Sequence, residues 1–233
     1  MNRNILTFLL ALLVAAAGHS QITANPYTVH FMTDANGRMV SEMTDMRVEG
    51  SPWYSDEYNL AAVTAITGKV YDSIAVKFNV QANELTFKTP DGKEMVAIMP
   101  IRRIRFFNIK DDAGTHAAIL ETVGGQPLNT ANAPVYELVD TGHITTLKQI
   151  KVTSKDVKEF NEASPLRKYT RKETWYVRLP GDKIEKLESG KEPLLTLLKD
   201  KSTEITAYTE KEKLKCRSID DCRQVIRYYN TLF

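Results

Sequence analysis

Apolar and polar residues alternate from Val70 to Val80, with Val70, Ile74, Val76, Phe78 and Val80 on one side and Tyr71, Ser73, Ala75, Lys77 and Asn79 on the other. A period of two puts successive side chains on opposite faces, so this stretch predicts a strand with one buried face. Leu85 and Phe87 continue the pattern after a turn at Gln81 to Asn83. Thr89-Pro90-Asp91-Gly92 then predicts a hairpin turn into Glu94 to Met99, because proline presets one dihedral and glycine accepts a positive one. Short strands follow at Ile101 to Asn108, His116 to Val123, Val135 to Val139 and Ile144 to Val152, separated by Gly- or Asp-containing turns, which suits an antiparallel meander.

The rest of the chain changes period. Trp175, Val177 and Leu179 face one way and Thr174, Tyr176 and Arg178 the other, and Pro180-Gly181-Asp182 turns that strand into Ile184 to Leu187. Leu194, Leu197, Leu198, Ile205 and Tyr208 share one helical face behind a capping box at Ser189 and Glu192. Ile219, Cys222, Val225, Ile226 and Tyr229 do so in a last helix, which Ser218 and Asp221 begin. The expected fold class is α+β: an antiparallel β-rich meander body at residues 56–153, a charged linker at 154–164, and a β-hairpin with two C-terminal helices at 165–233. Residues 21–55 show no sustained period and are expected to be a loosely ordered leader with one short strand near Met39.

The N-terminus reads as an address. Arg3 precedes an apolar run from Ile5 to Ala17, broken only by Thr7, and small residues follow at Gly18 and Ser20. This is the order of a cleavable export signal over residues 1–20, with cutting before Gln21 preferred to cutting before His19. The run is shorter than the roughly 20 apolar residues of a membrane span, so no integral span is expected after cleavage. No Cys lies at the junction to take a lipid. The expected location is the periplasm or cell envelope, or the medium. With 31 basic and 29 acidic residues, and one of the basic ones inside the signal, the chain lacks the charge excess of a nucleic-acid binder.

Cys216 and Cys222 are the only two cysteines. In an oxidising compartment an even pair reads first as a disulfide, and these flank a helix entry, so a small staple is expected.

Two groups of short motifs carry a resemblance. One is Gly50-Ser51-Pro52, Gly68-Lys69, Val76 to Val80 and Glu84 to Lys88; the other is Arg171-Lys172, Trp175-Tyr176, Leu194 to Lys201 and Tyr228-Tyr229-Asn230. Together they resemble an uncharacterised family of secreted or periplasmic proteins of the Bacteroidota, over roughly residues 50 to 230. The resemblance implies an exported α+β protein and supplies neither an activity nor catalytic residues. The cysteine pair departs from the family's usual pattern.

Candidate chemistry is sparse. Asp140-Thr141-Gly142 has the turn of an aspartic protease but is followed by His143, not Ala or Ser, and reads as an ordinary hairpin loop between two strands. His30, His116 and His143 have no metal-ligand spacing, and the cluster Met32, Met39, Met43 and Met46 lacks the repeat of a copper site. No nucleophile elbow, phosphate-cradling loop or cofactor motif occurs, so no cofactor is expected. Around Arg171, Lys172, Trp175, Tyr176 and Arg178, cations interleave with aromatics in a way that suits an anionic glycan or a lipid head group. Arg171, Lys172, Tyr176 and Arg178 are therefore the candidate binding residues. The expected function is a non-enzymatic binding or scaffolding module for an envelope protein or glycan; the alternative is an envelope hydrolase using Asp140 or His143.

Overall fold

The computed structural model describes residues 37–39, 47–111, 114–158 and 165–233. The export signal, most of the leader and residues 159–164 of the expected linker lie outside the described residues. Among the described residues twelve strands form one sheet: β1 (Gly37–Met39), β2 (Arg47–Glu49), β3 (Asn59–Ala65), β4 (Val70–Asn79), β5 (Glu84–Lys88), β6 (Glu94–Ala97), β7 (Ile101–Asp111), β8 (Gly114–Glu121), β9 (Val135–Asp140), β10 (Thr145–Val157), β11 (Leu166–Arg178) and β12 (Ile184–Lys186). Their spatial order is β1-β6-β5-β4-β3-β7-β8-β9-β10-β11-β12, antiparallel throughout, with β2 added in parallel to the start of β11. Three helices follow: α1 (Lys191–Leu197), α2 (Ser202–Lys211) and α3 (Ile219–Asn230).

The predicted hairpins form where turn chemistry demanded them. Gly92 has φ +83° and donates to the Thr89 carbonyl, and Gly181 and Asp182 take φ +80° and +62° between β11 and β12. The short strand near Met39 is β1. Three expectations shift. Residues 154–157 continue β10 rather than opening a linker, because they pair with Leu166 to Tyr169 of β11. The tail hairpin is thus part of the same sheet. The first tail helix is broken by a 3₁₀ turn at Lys199–Lys201, and its N-cap is Gly190 at φ +130° with no side-chain cap, so the Ser189 box is not formed. The Ser218 cap is formed: its Oγ accepts from the Asp221 N–H at 3.1 Å.

The third shift lies inside the strand that most constrained the fold. Val70 is 58% exposed whereas Tyr71 is 6% exposed, the reverse of the simple alternation. Ser73 takes φ +57° with its N–H on the Asp72 carboxylate, and the β3–β4 register slips between Ala61 and Val63. A bulge inserts one residue and flips the parity of everything before it.

Two apolar clusters result. One gathers Val63, Ile74, Phe78, Leu85, Ile104, Phe106 and Leu120 with Ile150 and Val152 of β10. Because β10 stands five places from β4 in the sheet order, the sheet must curl over on itself to close this core. The β4–β5 turn fastens the closure: buried Asn83 donates to the Leu128 and Ala133 carbonyls, each at 2.9 Å, and Gln81 donates to Ser154. The second cluster lies under the helices, where Val177 and Leu187 meet Leu194, Leu198, Ile205, Val225 and Ile226.

Candidate functional site

A cleft of about 510 Å³ opens between residues 50–57, the outer end of the β7–β8 hairpin and the β9–β10–β11 surface. Backbone pairing places its wall. The Tyr54 N–H donates to the Phe78 carbonyl and the Val80 N–H to the Pro52 carbonyl, both at 2.9 Å, which zips 52–54 onto the end of β4. Gly50 makes the approach possible: at φ +75°, a Cβ there would sit 2.7 Å from the Tyr169 carbonyl oxygen. The Tyr54 ring stacks on Phe106, with centroids 5.4 Å apart.

At the floor, Glu137 and Lys148 face each other across β9 and β10, with Nζ 2.8 Å from Oε2. The Glu137 side chain is only 11% exposed. The Tyr54 hydroxyl lies beside Glu137, and burial, reinforced by that carboxylate, pushes the phenol's pKa far up. Glu137 Oε2, which Lys148 touches, is closed off from solvent and makes no aligned hydrogen bond. Arg171 closes one side: its guanidinium lies 5.6 Å from the Tyr54 ring centroid, its Nη1 donates to the Tyr54 carbonyl, and its Nε donates to Glu173 at 3.1 Å. Trp53, under Lys77, and Tyr169 supply further aromatic lining, and His116 stands 3.7 Å from Asp111.

The four candidate binding residues are divided by strand alternation. Only Arg171 lines the cleft; Lys172 is exposed on the opposite face. Tyr176 packs edge-on against Tyr136 at 5.8 Å, and Arg178 donates to Glu121 at 2.6 Å. Trp175 joins the helical cluster with Val177 and Leu179, as its parity predicted.

Asp140 and His143 serve the C-terminal helix. The Arg223 Nε donates to Asp140 at 2.9 Å and Arg227 stands 3.8 Å away. The His143 ring stacks on Phe233 at 3.7 Å with an interplanar angle of 2°. Neither residue lines the cleft. The expected staple is corrected: Cys216 and Cys222 are free thiols, both fully buried, and the Cys222 thiol donates to the Cys216 carbonyl at 3.5 Å. Among the described residues no group of His, Cys, Asp or Glu could hold a metal ion. No described helix is long and apolar enough to cross a membrane.

No protein-family model, curated protein or solved structure matches the chain. Glu137, Lys148 and Tyr54 are the site residues that motif reasoning passed over. One signal was available: Glu137 shares its parity with Val135, which places a carboxylate on the buried face of a strand.

Proposed function

We propose that the chain is an exported, non-enzymatic envelope protein that binds a neutral saccharide unit in this cleft. The observation that carries the reading is Glu137: a nearly buried carboxylate paired with Lys148 beside Tyr54, at the floor of an aromatic-lined cleft. A sugar hydroxyl donates to a carboxylate, and its neighbouring hydroxyls accept from ammonium or guanidinium groups. The lining charges nearly cancel, with Lys110, Lys148 and Arg171 against Asp56, Glu57, Asp111 and Glu137. That balance favours a neutral, hydroxyl-rich ligand over an ion, and the half-buried Trp53 and Tyr169 offer ring faces or edges to its apolar side.

The test is calorimetric titration of the purified chain with a panel of neutral oligosaccharides, alongside Glu137→Gln and Trp53→Ala. A bound sugar should lose at least tenfold in Kd in both variants while their melting curves stay cooperative. Absence of binding across the panel, or equal binding by the variants, sinks the reading. The export part of the proposal is checked by mass spectrometry of the protein from cell fractions, which should find Gln21 as the first residue outside the cytoplasm.

A further inference from the structure

The distal halves of β10 and β11 form a two-stranded ribbon whose face opposite the cleft is built from three successive rungs: Lys151 opposite Lys172, Thr153 opposite Thr170, and Lys155 opposite Lys168. All six residues are exposed. Directly opposed side chains in an antiparallel pair stand about 5 Å apart at Cβ, and like charges there repel. Lys168 is relieved by Glu49 at 2.6 Å. Lys151, Lys155 and Lys172 have no carboxylate at ion-pair distance among the described residues, and no acid stands on these rungs.

We infer that this ladder is a docking surface for a linear acidic polysaccharide carrying carboxylate groups. The paired lysines set positive charge along a line, with the two lysine rungs about 13 Å apart along the strand. The Thr153–Thr170 rung between them presents hydroxyls that exchange hydrogen bonds with sugar hydroxyls. A polyanion laid along the ribbon relieves the repulsion between Lys151 and Lys172 and pairs with Lys155, whose rung partner Lys168 is held by Glu49. The rungs hold lysine and threonine only, with no exposed apolar side chain to enter a bilayer, so a linear polymer fits better than a lipid surface. This inference does not rest on the cleft reading, because cross-strand alternation puts the two sites on opposite faces.

The experiment measures binding of the purified chain to polygalacturonate, with neutral dextran and phosphatidylglycerol vesicles as comparison probes, at rising salt. Wild type should bind polygalacturonate and release it as salt screens the charges, whereas any dextran held in the cleft should be insensitive to salt and lost in Glu137→Gln. Lys151→Gln/Lys155→Gln/Lys172→Gln should weaken binding at least tenfold and melt no lower than wild type. Lys93→Gln/Lys183→Gln/Lys211→Gln removes the same charge from exposed sites elsewhere and should change affinity less than twofold. Glu137→Gln should leave this binding unchanged, which separates it from the cleft. No binding by wild type, equal losses in the two triple variants, or binding to vesicles in preference to polygalacturonate would each overturn the proposal.

Discussion

Asn230 grips the backbone of Ile144 at both ends, its Oδ1 accepting from the Ile144 N–H at 2.9 Å and its Nδ2 donating to the Ile144 carbonyl at 3.0 Å. The last residue of α3 thereby acts as a strand neighbour to the loop after β9. Gly142 explains why the fit is possible, since a Cβ there would lie 2.4 Å from Asn230 Cγ.

Replacing either partner should therefore cost stability by the same route. Asn230→Ala loses two hydrogen bonds to backbone, each worth about 1 kcal/mol, and Gly142→Ala should expel the Asn230 side chain at a comparable cost. In Asn230→Ala/Gly142→Ala the second change has little left to break, so the double variant should be far from additive. Urea unfolding of the four proteins reads the cycle. Additive losses would mean that the two residues do not act as one clamp.

Asp140 is expected to act through stability. Its carboxylate, 11% exposed, holds Arg223 of α3, and the same guanidinium lies 5.2 Å from the Trp175 ring centroid. Asp140→Asn should cost about 1–2 kcal/mol, less than a fully buried pair, because Asp220 also holds Arg223. Arg223→Gln should cost a similar amount and the pair should be sub-additive. Unchanged unfolding of Asp140→Asn would remove the clasp from the account.

The two cysteines should be silent until the fold opens. Both are fully buried, and desolvation pushes Cys216 up to about 11, so little thiolate exists near neutral pH. A thiol reagent should label neither residue in the native protein and both after denaturation. An intact mass two hydrogens lighter than the dithiol form, with no labelling in denaturant, would show that the staple forms after all.

Alkali should weaken the fold in a defined window. Cys216 moves from an ordinary value of 9.0 to about 11, and Tyr229, buried and donating to Asp200, moves from 10.0 to about 12. A raised folded-state pKa means the fold favours the protonated form: that contribution is whole below the unfolded value and fades as pH climbs through the folded one. Stability should thus be level up to about pH 9 and decline between 9 and 12. Tyr54 and Tyr58 are shifted the same way. Tyr229→Phe should lose the Asp200 hydrogen bond at neutral pH and show a shallower decline above pH 10. Thermal melts at stepped pH check the window; a Tm rising above pH 9 contradicts it.

What could be foreseen in this chain followed from local chemistry. Pro90-Asp91-Gly92 and Pro180-Gly181-Asp182 specify their turns almost alone, and Ser218 specifies its cap. β2 and β3 are the strands alternation does not show: β2 is three exposed residues, and in β3 Ala61, Ala62 and Ala65 give alternation little apolar contrast. The flip at Tyr71 depends on one residue, Ser73, taking a left-handed backbone that serine rarely adopts. The site was hidden for a different reason. Tyr54, Glu137 and Arg171 are far apart in sequence and meet only because the sheet curls, which no period along the chain encodes. Asp140-Thr141-Gly142 drew attention as a catalytic turn, and its true constraint, Asn230, stands nearly ninety residues later.

Arg178 and Tyr176 offer the sharpest separation of surface from structure. Glu121, whose side chain is 6% exposed, receives Arg103 Nε at 3.0 Å and Nη2 at 2.6 Å on one oxygen and Arg178 on the other. Arg178→Ala leaves a nearly buried carboxylate with one partner and should cost about 1–2 kcal/mol, whereas Glu121→Gln leaves two guanidiniums facing a neutral amide and should cost more. Tyr176→Ala removes a ring contact with Tyr136 and the cover over Leu147, which is its cross-strand neighbour and fully buried. All three variants should lower the urea midpoint while leaving polygalacturonate binding by the lysine ladder within twofold of wild type. Loss of that binding in Tyr176→Ala or Arg178→Ala, with the urea midpoint unmoved, would return both residues to the binding surface.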